Sequence, residues 1–198
     1  MGHLEIVREL LARGAAVNTA NVDDVAPLFV ASLMGHLEIV RELHARGAAI
    51  DVADEEGATP LFIACEKGRL EFVRELLALG AAVDAAQSDG YTPLLIASRE
   101  GHLKVVRELL ALGAAMDAVQ ADGASPLFIA SRMGHSEVVR ELLARGAAAD
   151  AARNDGATPL YIASREGHLE VVRELLAQGA LPLPLAAAVS GKKRSRGT

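Results

Sequence analysis

The stretch that decides the fold runs from residue 158 to residue 179 and reads TPLYIASREGHLEVVRELLAQG. Its Gly-His motif recurs with little change, and the glycines of the copies stand at 2, 35, 68, 101, 134 and 167, always 33 residues apart. Residues 87–112 and 153–178 agree at 20 of 26 positions. A fixed period of this length is the signature of a repeat architecture, in which each unit buries its apolar face against its neighbours.

The first half of the quoted stretch carries the signals of a short helix. Thr158 is a good N-cap because its hydroxyl can accept an orphan amide hydrogen bond. Pro159 follows at the first helical position, where its missing N–H costs nothing. We predict a helix of about eight residues that ends at the glycine of the Gly-His pair, since glycine favours a left-handed C-cap. The same helix is predicted to start at Pro60, Pro93 and Pro126.

The second half predicts an amphipathic helix. After Gly68, the apolar residues Leu70, Val73 and Leu76 share one face, and the charged residues between them lie away from it. Neither helix is stable alone, because isolated helices below about 12–15 residues are marginal in water. An acid-glycine pair then predicts a hairpin-type turn before the next unit. These pairs are Glu56-Gly57, Asp89-Gly90, Asp122-Gly123 and Asp155-Gly156.

The order of turn, Thr-Pro-Leu, short helix, Gly-His-Leu-Glu-Val-Val helix and closing Gly-Ala resembles the ankyrin repeat family. The resemblance covers residues 2–180 as one partial and five complete units. It implies an all-α solenoid of L-shaped helix-turn-helix units joined by hairpin-like loops, with a concave face of hairpins and first helices. It also implies a non-enzymatic scaffold that binds another protein.

The repeat period predicts the boundaries of the units. Residues 1–20 are a partial first repeat that holds the second helix only. Residues 181–198 are a degenerate cap and a basic tail, partly disordered, in which residues 184–189 resemble an out-of-phase first helix of a seventh unit. The five complete repeats are residues 21–53, 54–86, 87–119, 120–152 and 153–180.

Histidine and cysteine are the residue types in this sequence that could bind a metal or act chemically. The pattern of both favours a structural interpretation. One histidine per repeat cannot close on a single zinc ion, because stacked helices lie about 8–10 Å apart and zinc needs ligands at about 2 Å. Cys65 stands where other units have serine, which indicates a small packing residue. His44 replaces a leucine of the second helix and is interpreted as a local defect of the core. We therefore predict no enzyme, no cofactor and no metal site.

Charge and hydropathy limit the partners. Residues 1–191 hold all 26 acidic residues and 16 of the 20 basic ones, for a net charge of −10, whereas residues 192–198 carry +4. An acidic body repels nucleic acid, so binding there is not expected. The uncharged, mostly apolar stretch near the C-terminal end, residues 179–191, is too short to span a bilayer, which needs about 18 residues. With one cysteine and no signal peptide visible, we expect a soluble protein of the cytoplasm or the nucleus.

Binding residues are expected where the repeats differ from one another. If the ankyrin geometry holds, the concave positions are the hairpin tips and the ends of the first helices, and Ala58 and Ala124 fall in the same set. Tyr91, Arg99, Arg132 and Met133 are of types enriched at interface hot spots. The guanidiniums of Arg99, Arg132 and Arg165 are expected to pair with carboxylates of the partner. The predicted partner-binding residues are Val22, Val25, Leu33, Met34, Glu55, Glu56, Glu66, Lys67, Ser88, Asp89, Tyr91, Arg99, Glu100, Asp122, Arg132, Met133, Asn154, Asp155, Arg165 and Glu166.

The apolar N-terminal end has two interpretations, which the sequence leaves open. Leu33 and Met34 are unusual because the same positions in most units are polar or charged. They form either a binding patch or a surface that packs against a first helix not contained in this sequence. In the second case the chain is a segment of a longer array or associates end to end with another copy.

Overall fold

The computed structural model describes residues 3–21 and 25–181, which form eleven α-helices and no strand. This confirms the predicted all-α class. The chain divides into two compact units, residues 1–93 and residues 94–198. The helices are α1 (Leu4–Ala12), α2 (Pro27–Met34), α3 (Leu37–Ala45), α4 (Pro60–Glu66), α5 (Leu70–Ala78), α6 (Pro93–Arg99), α7 (Leu103–Ala111), α8 (Pro126–Met133), α9 (Ser136–Ala144), α10 (Pro159–Glu166) and α11 (Leu169–Ala177).

The first helix of a repeat starts and stops as its capping residues predict. The hydroxyl of Thr59 accepts a hydrogen bond from the backbone N–H of Phe62 at 3.2 Å, and Ser125 caps α8 in the same way. Gly35 and Gly134 follow α2 and α8 in the left-handed conformation. These short helices are therefore bounded by local chemistry at both ends.

The second helices bury the predicted face against the first helices. In the first unit, Phe72, Val73 and Leu76 of α5 are buried, and in the second unit α9 buries Val138, Val139, Leu142 and Leu143. Cys65 is fully buried, as expected of a packing residue, and burial raises the pKa of its thiol.

Phe62, Leu95 and Phe128, which occupy the same position of the first helix in three repeats, are buried as well. Each repeat thus has its own apolar layer, and neighbouring layers stack within a unit.

Polar links join neighbouring repeats inside each unit. In the second unit, the Nε2 of His135 donates a hydrogen bond to the carbonyl oxygen of Arg99 at 2.8 Å, and His168 bonds the carbonyl of Arg132 at 3.0 Å. In the first unit, Arg69 takes the same role and donates to the carbonyl of Leu33 at 3.0 Å. The recurring histidine is thus a structural residue that ties the start of a second helix to the preceding first helix.

Of the predicted cap and tail, residues 181–198, all residues after Leu181 lie outside the described part of the chain. No helix in the described part of the chain is long and apolar enough to cross a membrane. In the same part, no three His, Cys, Asp or Glu side chains are grouped so that they could hold a metal ion.

His44 supports a first prediction, about stability. Its side chain is half-buried, and within the described residues its Nδ1 atom is buried without a hydrogen-bond partner. We expect His44→Leu to raise the free energy of unfolding by about 1 kcal/mol, because an unsatisfied buried polar atom costs about 1–3 kcal/mol. Urea unfolding followed by circular dichroism measures the change.

Leu77→His is the matched control, since Leu77 occupies the same position in the next repeat. It should lower stability by a similar amount. If His44→Leu left stability unchanged while Leu77→His reduced it, His44 would not be a defect of the core.

Candidate protein-binding surfaces

The structure leaves nearly all predicted partner-binding residues accessible. Val22 lies outside the described residues, and the other nineteen are exposed or half-buried. The assignment of Ala58 and Ala124 to the same surface is wrong, because both are buried. The carbonyl oxygen of each alanine accepts a hydrogen bond from the backbone N–H of the residue four positions earlier, which is Asp54 or Gln120. This bond belongs to the hairpin turn.

In the first unit, two neighbouring hairpin tips form an acidic groove. Glu55 and Glu56 from one hairpin and Ser88 and Asp89 from the next line a pocket of about 460 Å³. The backbone N–H and the hydroxyl of Ser88 both donate to the carbonyl of Glu56 at 3.0 Å. This double link holds the two tips side by side, so the three carboxylates of the groove are presented together.

The ends of the first helices carry charged pairs in both units. Lys67 pairs with Glu66 at 2.9 Å in the first unit. In the second unit, the guanidinium of Arg99 pairs with Glu100 at 2.7 Å, and that of Arg165 with Glu166 at 2.8 Å. These cations are therefore already neutralised by their neighbours in sequence, which weakens the expectation that each would recruit a carboxylate from a partner.

Arg132 is different. Met133 replaces the acidic neighbour, and within the described residues the guanidinium of Arg132 pairs with no carboxylate. Its own backbone is held by the hydrogen bond from His168. Met133 is 46% exposed beside it. A half-buried cation and an exposed apolar side chain thus lie together on a rigid backbone.

The hairpin tips of the second unit are organised by a residue that the sequence analysis missed. Arg153 forms ion pairs with Asp155 and, at 3.1 Å, with Asp122 of the preceding hairpin. Its guanidinium lies 5.4 Å from the centre of the Phe128 ring. The pKa of Asp155 is lowered to about 2 by the hydrogen bonds from Arg153 and from the backbone N–H of Ala157. The only sequence signal was an arginine where the other repeats have Asn, Asp or Gln.

The exposed face of the second helices is a ladder of ion pairs between repeats. Arg41 pairs with Glu75 at 2.7 Å in the first unit, and Arg107 pairs with Glu141 at 2.7 Å in the second. Hydrogen bonds from these arginines lower the pKa of both glutamates. The sequence analysis placed these charged residues only on the face away from the core. The links between helices have one sequence signal, an Arg and a Glu 34 positions apart.

The first unit also holds an apolar pocket of about 460 Å³ between α1, α2 and α3. Its lining includes Leu10 of α1, Val30 of α2, and Ile39 and Leu43 of α3. His36 also lines it, whereas Leu33 and Met34 do not. Leu33 and Met34 are exposed as the sequence suggested, but they lie outside this pocket, whose apolar lining the sequence analysis did not single out.

Leu10 shows why the pocket is open. It is 54% exposed, whereas Leu76, at the same position of its repeat, is fully buried. In the repeat that contains Leu76, the first helix α4 packs against α5. No described residue takes that place beside α1, so the apolar face of α1 reaches solvent.

Paired helices, capped by the same residues and stacked at a fixed period, define a helical repeat protein. A family model of three ankyrin repeats matches residues 40–120 and residues 108–183, and the model of a single ankyrin repeat matches residues 23–55. The chain therefore belongs to the ankyrin repeat family. No curated protein matches it. Ankyrin repeats are in general protein–protein interaction modules and typically not enzymes.

Proposed function

We propose that this protein is a non-enzymatic scaffold that binds another protein through its hairpin tips and the ends of its first helices. The observation that carries the proposal is the pair Arg132 and Met133, a cation with no ion pair among the described residues beside an exposed apolar side chain. Arginine and methionine are enriched at protein interfaces. This pair fits a partner segment in which a carboxylate follows or precedes an apolar residue.

Rigidity supports the same proposal. His168 holds the backbone of Arg132, and Arg153 joins the hairpin of Asp122 to its own. A preorganised surface loses little conformational entropy when a partner docks. In the first unit, the acidic groove of Glu55, Glu56 and Asp89 complements basic residues of a partner and would increase the association rate. Tyr91, which is half-buried two residues after Asp89, would supply an aromatic anchor.

The test is a peptide-display selection followed by affinity measurement on the selected peptides. We expect Arg132→Ala combined with Met133→Ala to raise the dissociation constant at least tenfold, which corresponds to about 1.4 kcal/mol. The matched control is Arg99→Ala combined with Glu100→Ala, at the same positions of another repeat, where the two charges already satisfy each other. It should change the dissociation constant less than threefold.

If both double variants raised the dissociation constant equally, Arg132 and Met133 would not be the residues that provide the binding energy. Circular dichroism of both variants must show the parental helix content. A selection that enriched no peptide on the parent would exclude short acidic-apolar segments as the partner.

A second candidate function is end-to-end self-association, and the open pocket favours it. Apolar residues such as Leu10 are buried at the equivalent positions of other repeats but exposed here. Contiguous exposed apolar surface marks interaction sites. On this alternative, the chain is a structural piece whose N-terminal repeat is completed by another molecule, or it is a segment of a longer array. Association predicts a molecular mass that rises with concentration.

A cytoplasmic or nuclear location fits both candidates. The single cysteine, Cys65, is buried and unpaired. A protein that needs no disulfide is suited to a reducing compartment. Another protein remains the proposed partner, and the acidic body argues against nucleic acid.

A further inference from the structure

Met133 is an exposed methionine at the end of the first helix of its repeat. It is 46% exposed, whereas Met116, the other methionine of the second unit, is half-buried. An accessible thioether is open to two-electron oxidation by a hydroperoxide, which converts it to a sulfoxide. The sulfur lone pair takes the terminal oxygen of the peroxide and the O–O bond breaks. The proton of the transferred hydroxyl passes to the other oxygen, which leaves as water or as an alcohol.

The backbone at Met133 matches the backbone at two glutamates of the neighbouring repeats. Glu100 and Glu166 occupy the equivalent positions in the sequence. In all three repeats the next residue is a glycine in the left-handed conformation, with φ values of +75°, +81° and +84°. The Cα–Cβ bond at this position therefore leaves the end of the helix in the same direction in each repeat.

At this position a glutamate reaches the guanidinium of the arginine before it. The Nε of Arg99 donates to Oε1 of Glu100 at 2.7 Å, and the Nε of Arg165 donates to Oε1 of Glu166 at 3.0 Å. Side chains one position apart do not face each other inside a helix, so these bonds depend on the end of the helix. Arg132 has the same place, but a methionine follows it, and within the described residues it pairs with no carboxylate.

A methionine sulfoxide carries an acceptor oxygen where glutamate has Oε1. Both side chains have the same pair of methylene groups before the atom that bears the oxygen, which is Cδ in glutamate and Sδ in the sulfoxide. The thioether sulfur itself is only a weak acceptor. A sulfoxide oxygen carries partial negative charge and accepts a charge-assisted hydrogen bond from a guanidinium. Oxidised Met133 would thus give Arg132 the kind of partner that Arg99 has in Glu100.

We propose that oxidation of Met133 to its sulfoxide pairs this residue with Arg132 and closes the binding pair, and that reduction opens it again. The inference rests on the proposed function of this pair and adds its regulation. Oxidation replaces the exposed apolar side chain by a polar one and binds the cation within the chain, so a partner loses both contacts. In the reduction, two thiols form a disulfide and the sulfoxide oxygen leaves as water.

Met34 is the matched control, because it ends α2 at the equivalent position of its repeat. It is 62% exposed, so a hydroperoxide reaches it as well. Leu33 precedes it in place of an arginine, and the residue therefore lacks the neighbour on which the proposed switch depends. Oxidation of Met34 should not affect the affinity for a partner segment that binds Arg132 and Met133.

The affinity test uses acidic–apolar peptides selected on the reduced parent, before and after treatment with hydrogen peroxide. Mass mapping of proteolytic fragments follows the oxygen added to each methionine. Peroxide should raise the dissociation constant of the parent and of Met34→Leu by about tenfold or more, and a thiol-dependent methionine sulfoxide reductase should restore it. In Met133→Leu, the dissociation constant should be the same before and after treatment. A loss of helix content on oxidation would overturn the proposal, because affinity would then fall through unfolding.

A second readout needs no partner. Proton exchange of the Arg132 Nε–H, measured by NMR and assigned with Arg132→Lys, should slow when Met133 is oxidised, because the sulfoxide accepts its hydrogen bond. Met133→Gln has an amide oxygen at the same place. It should show the slow exchange without peroxide and bind the peptides about tenfold more weakly than the parent. The Nε–H of Arg99, which already donates to Glu100, should not change.

The two readouts separate failure of the switch from failure of the proposed function. If Met133 were oxidised and exchange of the Arg132 Nε–H did not slow, the switch would be overturned. An unchanged dissociation constant of the oxidised parent would overturn it as well. If no peptide were selected on the reduced parent, the proposed function would fail, whereas the exchange rate would still decide whether the sulfoxide binds Arg132.

Discussion

Gly134→Ala is expected to lower the free energy of unfolding by about 2–4 kcal/mol. Gly134 has φ +81°, in the left-handed region that costs a residue with a Cβ about 1–2 kcal/mol. A Cβ atom there would also lie 2.6 Å from Nδ1 of His168. The ring must move, and its hydrogen bond to the carbonyl of Arg132 is then lost, which adds about 1–2 kcal/mol.

Gly167→Ala separates the two contributions. Gly167 has φ +84° at the same position of the last repeat, but a Cβ there meets nothing within 4 Å. Gly167→Ala should lower the free energy of unfolding only by the cost of the left-handed backbone conformation, about 1–2 kcal/mol. Urea unfolding of both variants measures the difference between their losses of stability. This difference is the contribution of the hydrogen bond from His168 to the carbonyl of Arg132. Equal losses would mean that the histidine bond contributes nothing to stability.

The same substitution has a functional consequence. The carbonyl that His168 binds belongs to Arg132, so Gly134→Ala should loosen the backbone that presents the proposed binding pair. Peptides selected on the parent should therefore bind this variant more weakly than they bind Gly167→Ala.

Leu76→Ala is expected to have the second large effect, a loss of about 2–5 kcal/mol in the free energy of unfolding. Leu76 is fully buried between the helices of its repeat. Truncating a buried leucine removes its transfer free energy and leaves a cavity that the neighbours fill only in part. Thermal and urea unfolding at low protein concentration both measure the loss.

Leu10→Ala is the matched control, because Leu10 has the same place in the repeat but is 54% exposed. It should cost less than about 1 kcal/mol at low protein concentration, since exposed truncations have small effects. If copies associate end to end as in the second candidate function, the same variant should weaken assembly at high concentration, because Leu10 lines the apolar pocket. A loss equal to that of Leu76→Ala in a monomeric protein would mean that the pocket is closed in solution.

Helix positions were predictable because their causes are local. A hydroxyl accepts a neighbouring amide, a proline starts a helix without losing a bond, and a glycine ends it in a left-handed turn. Thr59, Pro60 and Gly35 act in this way regardless of what surrounds them. The binding surface was predictable only as a set of positions, since a repeat period says where side chains recur and not which partners they find.

Which side chains pair with one another depends on three-dimensional geometry that the spacing of residues in the sequence does not specify. Sequence neighbours suggested that Arg99, Arg132 and Arg165 are equivalent, but two of them are neutralised by a following glutamate. Arg153 joins two hairpins, and its role appears only when Asp122 lies within 3.1 Å of its guanidinium. Ala58 and Ala124 are buried, and the carbonyl of each accepts a backbone hydrogen bond within its hairpin, although their places in the sequence suggested an exposed tip.

The sequence by itself determined the repeat, its helices and the family, because period, capping and amphipathic pattern are properties of a few adjacent residues. Only the tertiary structure decided which charges remain unpaired and which apolar residues remain open. Leu10 and Leu76 have the same sequence context, yet one is exposed and the other buried. The physical reason is that burial in a stacked array comes from the neighbouring helix, so the same motif gives a core residue in one repeat and an open pocket in another.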